Sequence, residues 1–301
     1  MLWQIRGMTR RLMFLTLASL LAAALALAGC ATLDEQQRKW VFQPSKQSWW
    51  GGAAAAEGMQ DVWIAFHSEE AGADVRLHGL WLPQPKAGAP LLLYLHGARW
   101  NVVGSAFRMR RMHELGFAVL GIDYRGFGRS TDTLPSETFA YEDARAAWDW
   151  LGAQHPGLPR YIFGHSLGAA IAVQLASVVD NEKGLLVEGS FTSVPDVVSS
   201  FRYGWLPVGP LITQRFDAAS RIDKVGSPLL VVHGAQDTLI PPELGRSLYE
   251  QAKDPKRFVL VENGSHHNTN SVGQAQYREA IRELFGIGAD VAISRGPIVA
   301  P

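Results

Sequence analysis

The sequence contains a single cysteine, Cys30, among its 301 residues. One thiol cannot form an intramolecular disulfide, and it cannot supply a cysteine-based metal site. The nine histidines are scattered without an H-E-x-x-H motif, so neither a dedicated metal site nor another cofactor is expected. Basic and acidic side chains balance at 28 each, and no Lys/Arg stripe is present, which argues against a nucleic-acid partner.

Long apolar runs are also scarce. The one that stands out, 12–28, is short for a membrane span, which needs about 20 apolar residues. It is typical of the apolar region of a secretory signal peptide, because basic residues precede it. These are Arg6, Arg10 and Arg11.

The apolar run ends in Leu27-Ala28-Gly29-Cys30, which resembles the bacterial lipobox. The resemblance implies that 1–29 is a lipoprotein signal peptide, and that Cys30 becomes the acylated (for example palmitoylated) first residue. The alternatives are an ordinary signal peptide or an uncleaved anchor. We expect a protein held by its lipid to a membrane of the bacterial cell envelope, on the periplasmic or extracytoplasmic side.

The remaining chain has the composition of a folded protein, since 47% of all residues are hydrophobic. We interpret 30–60 as a lipidated tether whose aromatic residues pack on the domain or lie at lipid headgroups. Residues 61–286 are predicted to form one domain, and 287–301 a loose tail rich in glycine, alanine and proline.

Strands and helices alternate along 61–286. A hairpin is predicted first, and buried strands alternating with helices follow, which indicates an α/β fold with a mostly parallel sheet and helices on both faces. The strands are expected at 62–66, 76–82, 91–95, 117–122, 161–163, 184–187, 228–232 and 258–261, and the helices at 105–115, 138–154, 242–252 and 272–285, with another from 168 to 179.

The most informative motif is Gly164-His165-Ser166-Leu167-Gly168, which lies between a predicted strand and a predicted helix. G-x-S-x-G in this context is typical of a nucleophile elbow. The turn exposes the serine hydroxyl and directs the N–H of Leu167 toward an anion that forms beside it. Without that context, the pattern is no more than a glycine-bounded turn with an incidental serine.

A serine nucleophile needs a base and an acid that orients the base. Asp237 follows the strand predicted at 228–232, and His266 and His267 follow the strand at 258–261. Because parallel strands end at the same edge of a sheet, these side chains are expected to converge on Ser166. The structural alternatives are a helix cap for Asp237 and a polar loop for the histidines.

These features together resemble the α/β-hydrolase superfamily, within it the small-lid, esterase/lipase-like members known as serine-aminopeptidase-like hydrolases. The resemblance spans about 61–285. It is carried by the elbow, by His96-Gly97-Ala98, by the segment 123–130, and by the segments of Asp237 and His266. It implies that Ser166 is the nucleophile and Asp237 the acid, and that the N–H groups of Ala98 and Leu167 form the oxyanion hole.

The resemblance leaves the base open between two neighbours. The family's glycine-small-histidine loop aligns with His266, which we favour, whereas the pair His267-Asn268 resembles a His-Asn dipeptide that is frequent in the family. Arg125 is expected to brace the loop beside the elbow. The segment 190–223 interrupts the alternation of strands and helices and is predicted to form a short lid with apolar residues.

The sequence therefore predicts a serine hydrolase that cleaves carboxylic esters, with a small ester or acyl substrate. Amide or peptide cleavage by the same residues, and a hydrolase-like binding protein without activity, remain the alternatives. The oligomeric state stays open.

Overall fold

The computed structural model describes residues 29–48, 51–201 and 204–288. The signal peptide predicted over 1–29 lies outside these residues except for Gly29, and so does the predicted tail from 289 onward. No helix in the described part of the chain is long and apolar enough to cross a membrane.

Eight strands in the described residues form one sheet, in the order β1-β2-β4-β3-β5-β6-β7-β8. The hairpin β1–β2 is antiparallel and pairs antiparallel with β4, and every other neighbouring pair is parallel. The mostly parallel sheet that the sequence predicts is thus confirmed. The strands are β1 (Gln60–Ser68), β2 (Ala73–Leu82), β3 (Leu91–Leu95), β4 (Ala118–Ile122), β5 (Arg160–His165), β6 (Glu182–Glu188), β7 (Leu229–Gly234) and β8 (Lys256–Val261).

Helices cover both faces of this sheet. Alternate residues of β3 enter two separate apolar clusters, one with Trp148 of α4 and Leu248 of α8, the other with Met109 of α3 and Tyr277 of α10. The helices are α1 (29–42), α2 (Gly52–Ala56), α3 (Ala106–His113), α4 (Glu137–Gln154), α5 (Leu167–Ala176), α6 (Val194–Ser199), α7 (Ala219–Ile222), α8 (Pro242–Gln251), α9 (Thr269–Val272) and α10 (Gln274–Phe285).

The segment interpreted as a tether packs on the domain over much of its length. Phe42, at the end of α1, is fully buried and contacts the ring of Phe216. The side chain of Gln37 donates to the carbonyl of Leu211 at 2.7 Å and accepts from the N–H of Thr213 at 2.8 Å. Helix α1 therefore docks against the segment predicted as the lid.

The described residues of that segment contain short helical pieces, namely α6, a 3₁₀ turn at Gly209–Leu211, and α7. It leaves the sheet after β6, which lies between the strand that precedes Ser166 and the strand that precedes Asp237. Because parallel strands end at one edge, the segment emerges beside the predicted site.

Arg125, which is expected to brace the loop beside the elbow, makes several buried contacts. Its fully buried guanidinium donates to Asp143 at 2.6 and 2.9 Å and to Glu142 at 2.6 Å, both on α4. It also donates to the hydroxyl of Ser68 at the end of β1, at 3.0 Å. Arg125 thus holds its own segment and the end of β1 to α4, and its bracing of the loop beside the elbow stays a prediction.

Candidate active site

Ser166 occupies the turn between β5 and α5. Its backbone has φ of 55° and ψ of −122°, in a region that L-residues rarely adopt. Such strain costs on the order of 1–3 kcal/mol and persists only where the surroundings hold it. The side chain keeps partial exposure, while the residues on either side are buried. The turn therefore presents the hydroxyl at the sheet edge, as the elbow motif predicts.

The two glycines of the motif are required by close backbone packing. A Cβ at Gly164 would lie 2.2 Å from the carbonyl oxygen of Gly168, and one at Gly168 would lie 2.1 Å from that of Leu95. Real Cβ atoms do not approach other atoms this closely, so no side chain fits at either position. The elbow consequently packs directly on the end of β3 and on the loop that follows it.

Three side chains from distant parts of the sequence converge at this edge. Nε2 of His266 lies 3.0 Å from Oγ of Ser166, and Nδ1 of His266 lies 2.7 Å from Oδ2 of Asp237. Their loops follow β5, β7 and β8. The arrangement is a continuous chain of hydrogen bonds from a hydroxyl through an imidazole to a carboxylate.

Asp237 is positioned to stay ionised. Burial raises its pKa, but the bonds from His233 and His266, together with the N–H of Ile240, outweigh this and hold the pKa of Asp237 below its usual range. Oδ1 accepts from the N–H groups of Leu239 at 3.0 Å and Ile240 at 2.8 Å, which leaves Oδ2 for the imidazole. A carboxylate fixed in this way orients His266 and stabilises its protonated form.

His267 points elsewhere. It is exposed, and its ring stands nearly perpendicular to that of His266, with the ring centres 5.4 Å apart. Burial, followed by the charges of His266 and Arg108, lowers the pKa of His267. The geometry joins His266 and not His267 to Ser166 and Asp237.

The two N–H groups expected to form an oxyanion hole lie on adjoining loops. Leu167 is the first residue of α5, where backbone N–H groups lack helical partners, and Ala98 follows β3 by three residues. Among the described residues, neither N–H has a hydrogen-bond acceptor. The loops touch closely, since a Cβ at Gly97 would lie 3.0 Å from that of Ser166. Both N–H groups are thus available beside the hydroxyl.

A buried arginine, which the sequence analysis missed, fastens the loop of His266. Arg108 on α3 donates through Nη2 to the carbonyl oxygens of His266 and His267, at 3.2 and 3.1 Å. Its Nε donates to Glu188 at 3.0 Å, and the hydroxyl of Tyr277 donates to the other carboxylate oxygen. No sequence motif marks these residues, because the contacts join α3, β6, α10 and the base loop.

His165, beside the nucleophile, belongs to the same cluster. Its Nε2 lies 3.0 Å from Nη2 of Arg108 and 3.0 Å from the carbonyl oxygen of His266. Burial, and next the positive charge of Arg108, lowers the pKa of His165 well below its ordinary value. A neutral His165 that packs under the base loop agrees with the structure.

Within the described residues, no group of three or more His, Cys, Asp or Glu side chains is arranged to hold a metal ion. The chemistry available at this edge is therefore that of a hydroxyl, an imidazole, a carboxylate and two backbone N–H groups. Such a set can attack a carbonyl carbon and stabilise the oxyanion that results.

Comparison with known proteins identifies the family of the chain. The family model described as "Serine aminopeptidase, S33" matches residues 88–218, which include the elbow and end before Asp237. An uncharacterized protein of Mycobacterium tuberculosis is 33% identical over 266 residues, which is 87% of this chain and 92% of that protein.

Two further likenesses extend the comparison. The lysophosphatidylserine lipase ABHD12 of Rattus norvegicus is 31% identical over 188 residues, covering 56% of this chain and 47% of that lipase. The crystal structure of a Pyrococcus furiosus esterase superposes with a TM-score of 0.65 at 21% identity, over 82% of this chain and 97% of that one, and shows the shared fold. With its sheet order, elbow and matched relatives, the chain belongs to the α/β-hydrolase superfamily, in the family of the serine-aminopeptidase-like hydrolases.

Proposed function

We propose that this protein is a serine hydrolase that cleaves carboxylic esters, with Ser166 as nucleophile, His266 as base and Asp237 as acid. The observation that carries the proposal is the hydrogen-bonded chain at 3.0 and 2.7 Å from Ser166 through His266 to Asp237. Loss of activity during evolution would be expected to remove a member of such a set, and all three are present here.

In the proposed reaction, Oγ of Ser166 bonds to the ester carbonyl carbon while its proton passes to Nε2 of His266. The N–H groups of Ala98 and Leu167 donate to the oxyanion. His266 then gives the proton to the departing alkoxide, and the carbon–oxygen bond to the alcohol breaks. Water, deprotonated by His266, attacks the acyl-enzyme and releases the carboxylic acid and the free serine.

The character of the substrate is supported by two observations. The segment 190–223 starts at the site, since a Cβ at Gly189 would lie 3.3 Å from the ring of His266, and it carries exposed apolar side chains that suit an acyl group, including Phe201 and Leu211. A relative that is 31% identical over part of the chain is a lysophosphatidylserine lipase. We therefore expect an ester with an apolar acyl chain. Amide cleavage is the second candidate, because the matching family model is described as a serine aminopeptidase.

A chain-length series of p-nitrophenyl esters tests the proposal, with p-nitroanilides run in parallel. The wild type should hydrolyse esters and form an adduct with a fluorophosphonate probe, and Ser166→Ala should do neither. Labelling at Ser166 with faster turnover of anilides than of esters would favour the amidase. An absence of labelling in a folded protein would point to a binding protein without activity.

We also propose that an acyl-modified Cys30 attaches the protein to the bacterial envelope. Cys30 is exposed on α1, seven residues before Gln37, whose side chain donates to the carbonyl of Leu211. Incorporation of labelled palmitate into the wild type but not into Cys30→Ala would support this. Recovery of both proteins in the same soluble fraction would contradict it.

A further inference from the structure

Large apolar side chains are exposed on two segments that reach the candidate site. The end of α1 is bonded to the loop of Ala98, since the N–H of Arg99 donates to the carbonyl of Phe42 at 2.9 Å, and the lid segment begins at the residue after Gly189, where a Cβ would lie 3.3 Å from the ring of His266. On α1, Leu33 and Trp40 lie seven residues apart and share one stripe of the helix, and Trp40 is 66% exposed. Beside α1, the segment after α6 exposes a second group. That group comprises Phe201, Trp205 (77% exposed), Leu206 and Leu211. We call these two groups together the apolar rim.

The two groups of the rim are physically connected. Gln37, on the same side of α1 as Leu33 and Trp40, donates to the backbone carbonyl of Leu211, whose side chain is exposed. Single exposed apolar residues are ordinary, but a contiguous group beside a site indicates a binding surface. The rim therefore forms one surface that spans α1 and the lid segment.

The sequence around the rim indicates what this surface contacts. Cys30, the residue proposed to carry the lipid, is exposed and precedes Leu33 on α1 by three residues, so this end of the rim lies next to the proposed lipid anchor. Tryptophan, with an apolar body and a polar N–H, is favoured at the boundary between lipid and water.

We infer that the apolar rim rests on the surface of a phospholipid bilayer, so that the opening above Ser166 faces lipid and receives its ester from the membrane. The contact with the bilayer does not depend on hydrolysis. The delivery of an ester rests on the proposed function, and the two parts are therefore tested separately.

The contact is tested with the full chain in vesicles of phosphatidylcholine and phosphatidylglycerol that carry brominated acyl chains, which quench tryptophan on contact. Ser166→Ala serves as the background so that no lipid is consumed. Adding Trp40→Phe and Trp205→Phe should remove a large part of the quenching, although only two of ten tryptophans change. Trp63→Phe, on β1 at the far edge of the sheet, is the matched control and should leave the quenching unchanged.

Delivery of the ester is tested by comparing a long-chain ester embedded in vesicles with a short ester in solution. Trp40→Gln with Trp205→Gln should slow hydrolysis of the embedded ester about tenfold and leave the dissolved ester unaffected, since both side chains are exposed. Val178→Gln, which is 52% exposed beyond the other end of α5, should alter neither rate.

Equal quenching with and without the two rim tryptophans would overturn the inference. So would a stable dimer in which Trp205 is shielded, because a second copy would then cover the rim. If neither ester is hydrolysed by the wild type, the proposed function fails, while the quenching result still decides whether the rim contacts lipid.

Discussion

Arg108 and Arg125 are both buried, and each forms an ion pair with a buried carboxylate, Glu188 for the first and Asp143 for the second. Removing one partner of such a pair is strongly destabilising, because it leaves an uncompensated charge in the interior. By burial and by pairing, the two arginines are alike. They differ in what their remaining N–H groups contact.

Arg125 joins α4 to the β1–β2 hairpin. It contacts Asp143 and Glu142 of α4 and the hydroxyl of Ser68. Burial outweighs the bonds from Arg125, which lower the pKa of Asp143, and the pKa is raised to about 6. None of these partners lies in the loops of the candidate site.

Arg108 contacts the backbone of His266, the proposed base, and of its neighbour His267. Its Nη2 reaches the carbonyl oxygens of His266 and His267. The two arginines show that a buried ion pair influences the reaction when its remaining N–H groups hold a loop of the site. The charge of the pair does not by itself have this effect. We expect Arg108 to be a positioning residue for the base and Arg125 to affect stability alone.

The first prediction has the largest expected effect. It tests whether His266, in the loop held by Arg108, is the base. His266→Ala should lower kcat by about 10⁴-fold or more, since loss of a triad member typically has this size. His267→Ala, one residue away in the same loop, should change kcat by no more than a few fold. Steady-state kinetics on a p-nitrophenyl ester measures both, and a reversed order would assign the base to His267 and break the comparison.

The second prediction concerns Arg125. Arg125→Met should lower the free energy of unfolding by about 3–5 kcal/mol, because Asp143 then stays buried without its partner. Urea denaturation followed by circular dichroism measures this loss. The kcat per folded molecule, from active-site titration with a fluorophosphonate, should stay within about twofold of wild type. A large fall in kcat would show that the contacts of Arg125 with α4 and the β1–β2 hairpin influence the site.

The third prediction concerns Arg108. Arg108→Met should lower kcat per folded molecule by about 10–100-fold, since a small displacement of a catalytic group has an effect of this size. KM for a short ester should change little. Arg108→Lys should recover part of the activity, because lysine can donate to the same carbonyls but lacks the forked geometry. If Arg108→Met only destabilises the fold, as Arg125→Met does, the assigned positioning role is wrong.

The smallest effect is a pH dependence carried by Asp237. Its pKa in the folded protein lies below the ordinary value of about 3.9, so the ionised form stabilises the fold at neutral pH. That contribution is present above the ordinary value and is lost as the pH falls through the folded-state pKa. Asp237→Asn should therefore cost about 2 kcal/mol of unfolding free energy near pH 7 and less near pH 3. If the unfolding free energy lost in Asp237→Asn is the same or larger near pH 3 than near pH 7, the lowered pKa of Asp237 is contradicted.

The parts of the site that the sequence predicts are those fixed by local backbone demands. The elbow needs glycine at 164 and 168 because Cβ atoms would collide there, and this need is visible in the sequence. Asp237 and the histidine pair follow buried strands, so topology alone brings them to the edge of Ser166. Most predicted strands and helices also lie within a few residues of those in the structure, because they too depend on the local sequence.

The choice between His266 and His267 could not be made from spacing. A shift of one residue in a loop reverses which imidazole faces the serine, and no local rule fixes that register. The structure fixes it through tertiary contacts, among them Arg108 on the carbonyls and Asp237 on Nδ1.

The local sequence pattern did not predict helix α1 either. The chain from 29 to 42 contains polar and charged residues that are typical of a solvated tether, and a helix of this length is marginal in isolation. Burial of Phe42 and the bonds of Gln37 stabilise it against the domain. Contacts between residues separated by more than 150 positions leave no mark in a local pattern.

The base loop follows β8, which is the outermost strand of the sheet in the described part of the chain, with β7 as its one neighbour there. A strand at the margin is held by a single ladder of hydrogen bonds and by α10, whereas β5, which leads to the nucleophile, is paired on both sides. Partial opening at this margin would carry the imidazole away while the elbow stays intact. On gentle heating, turnover should therefore vanish before the central strands begin to exchange their amide protons, and it should return on cooling.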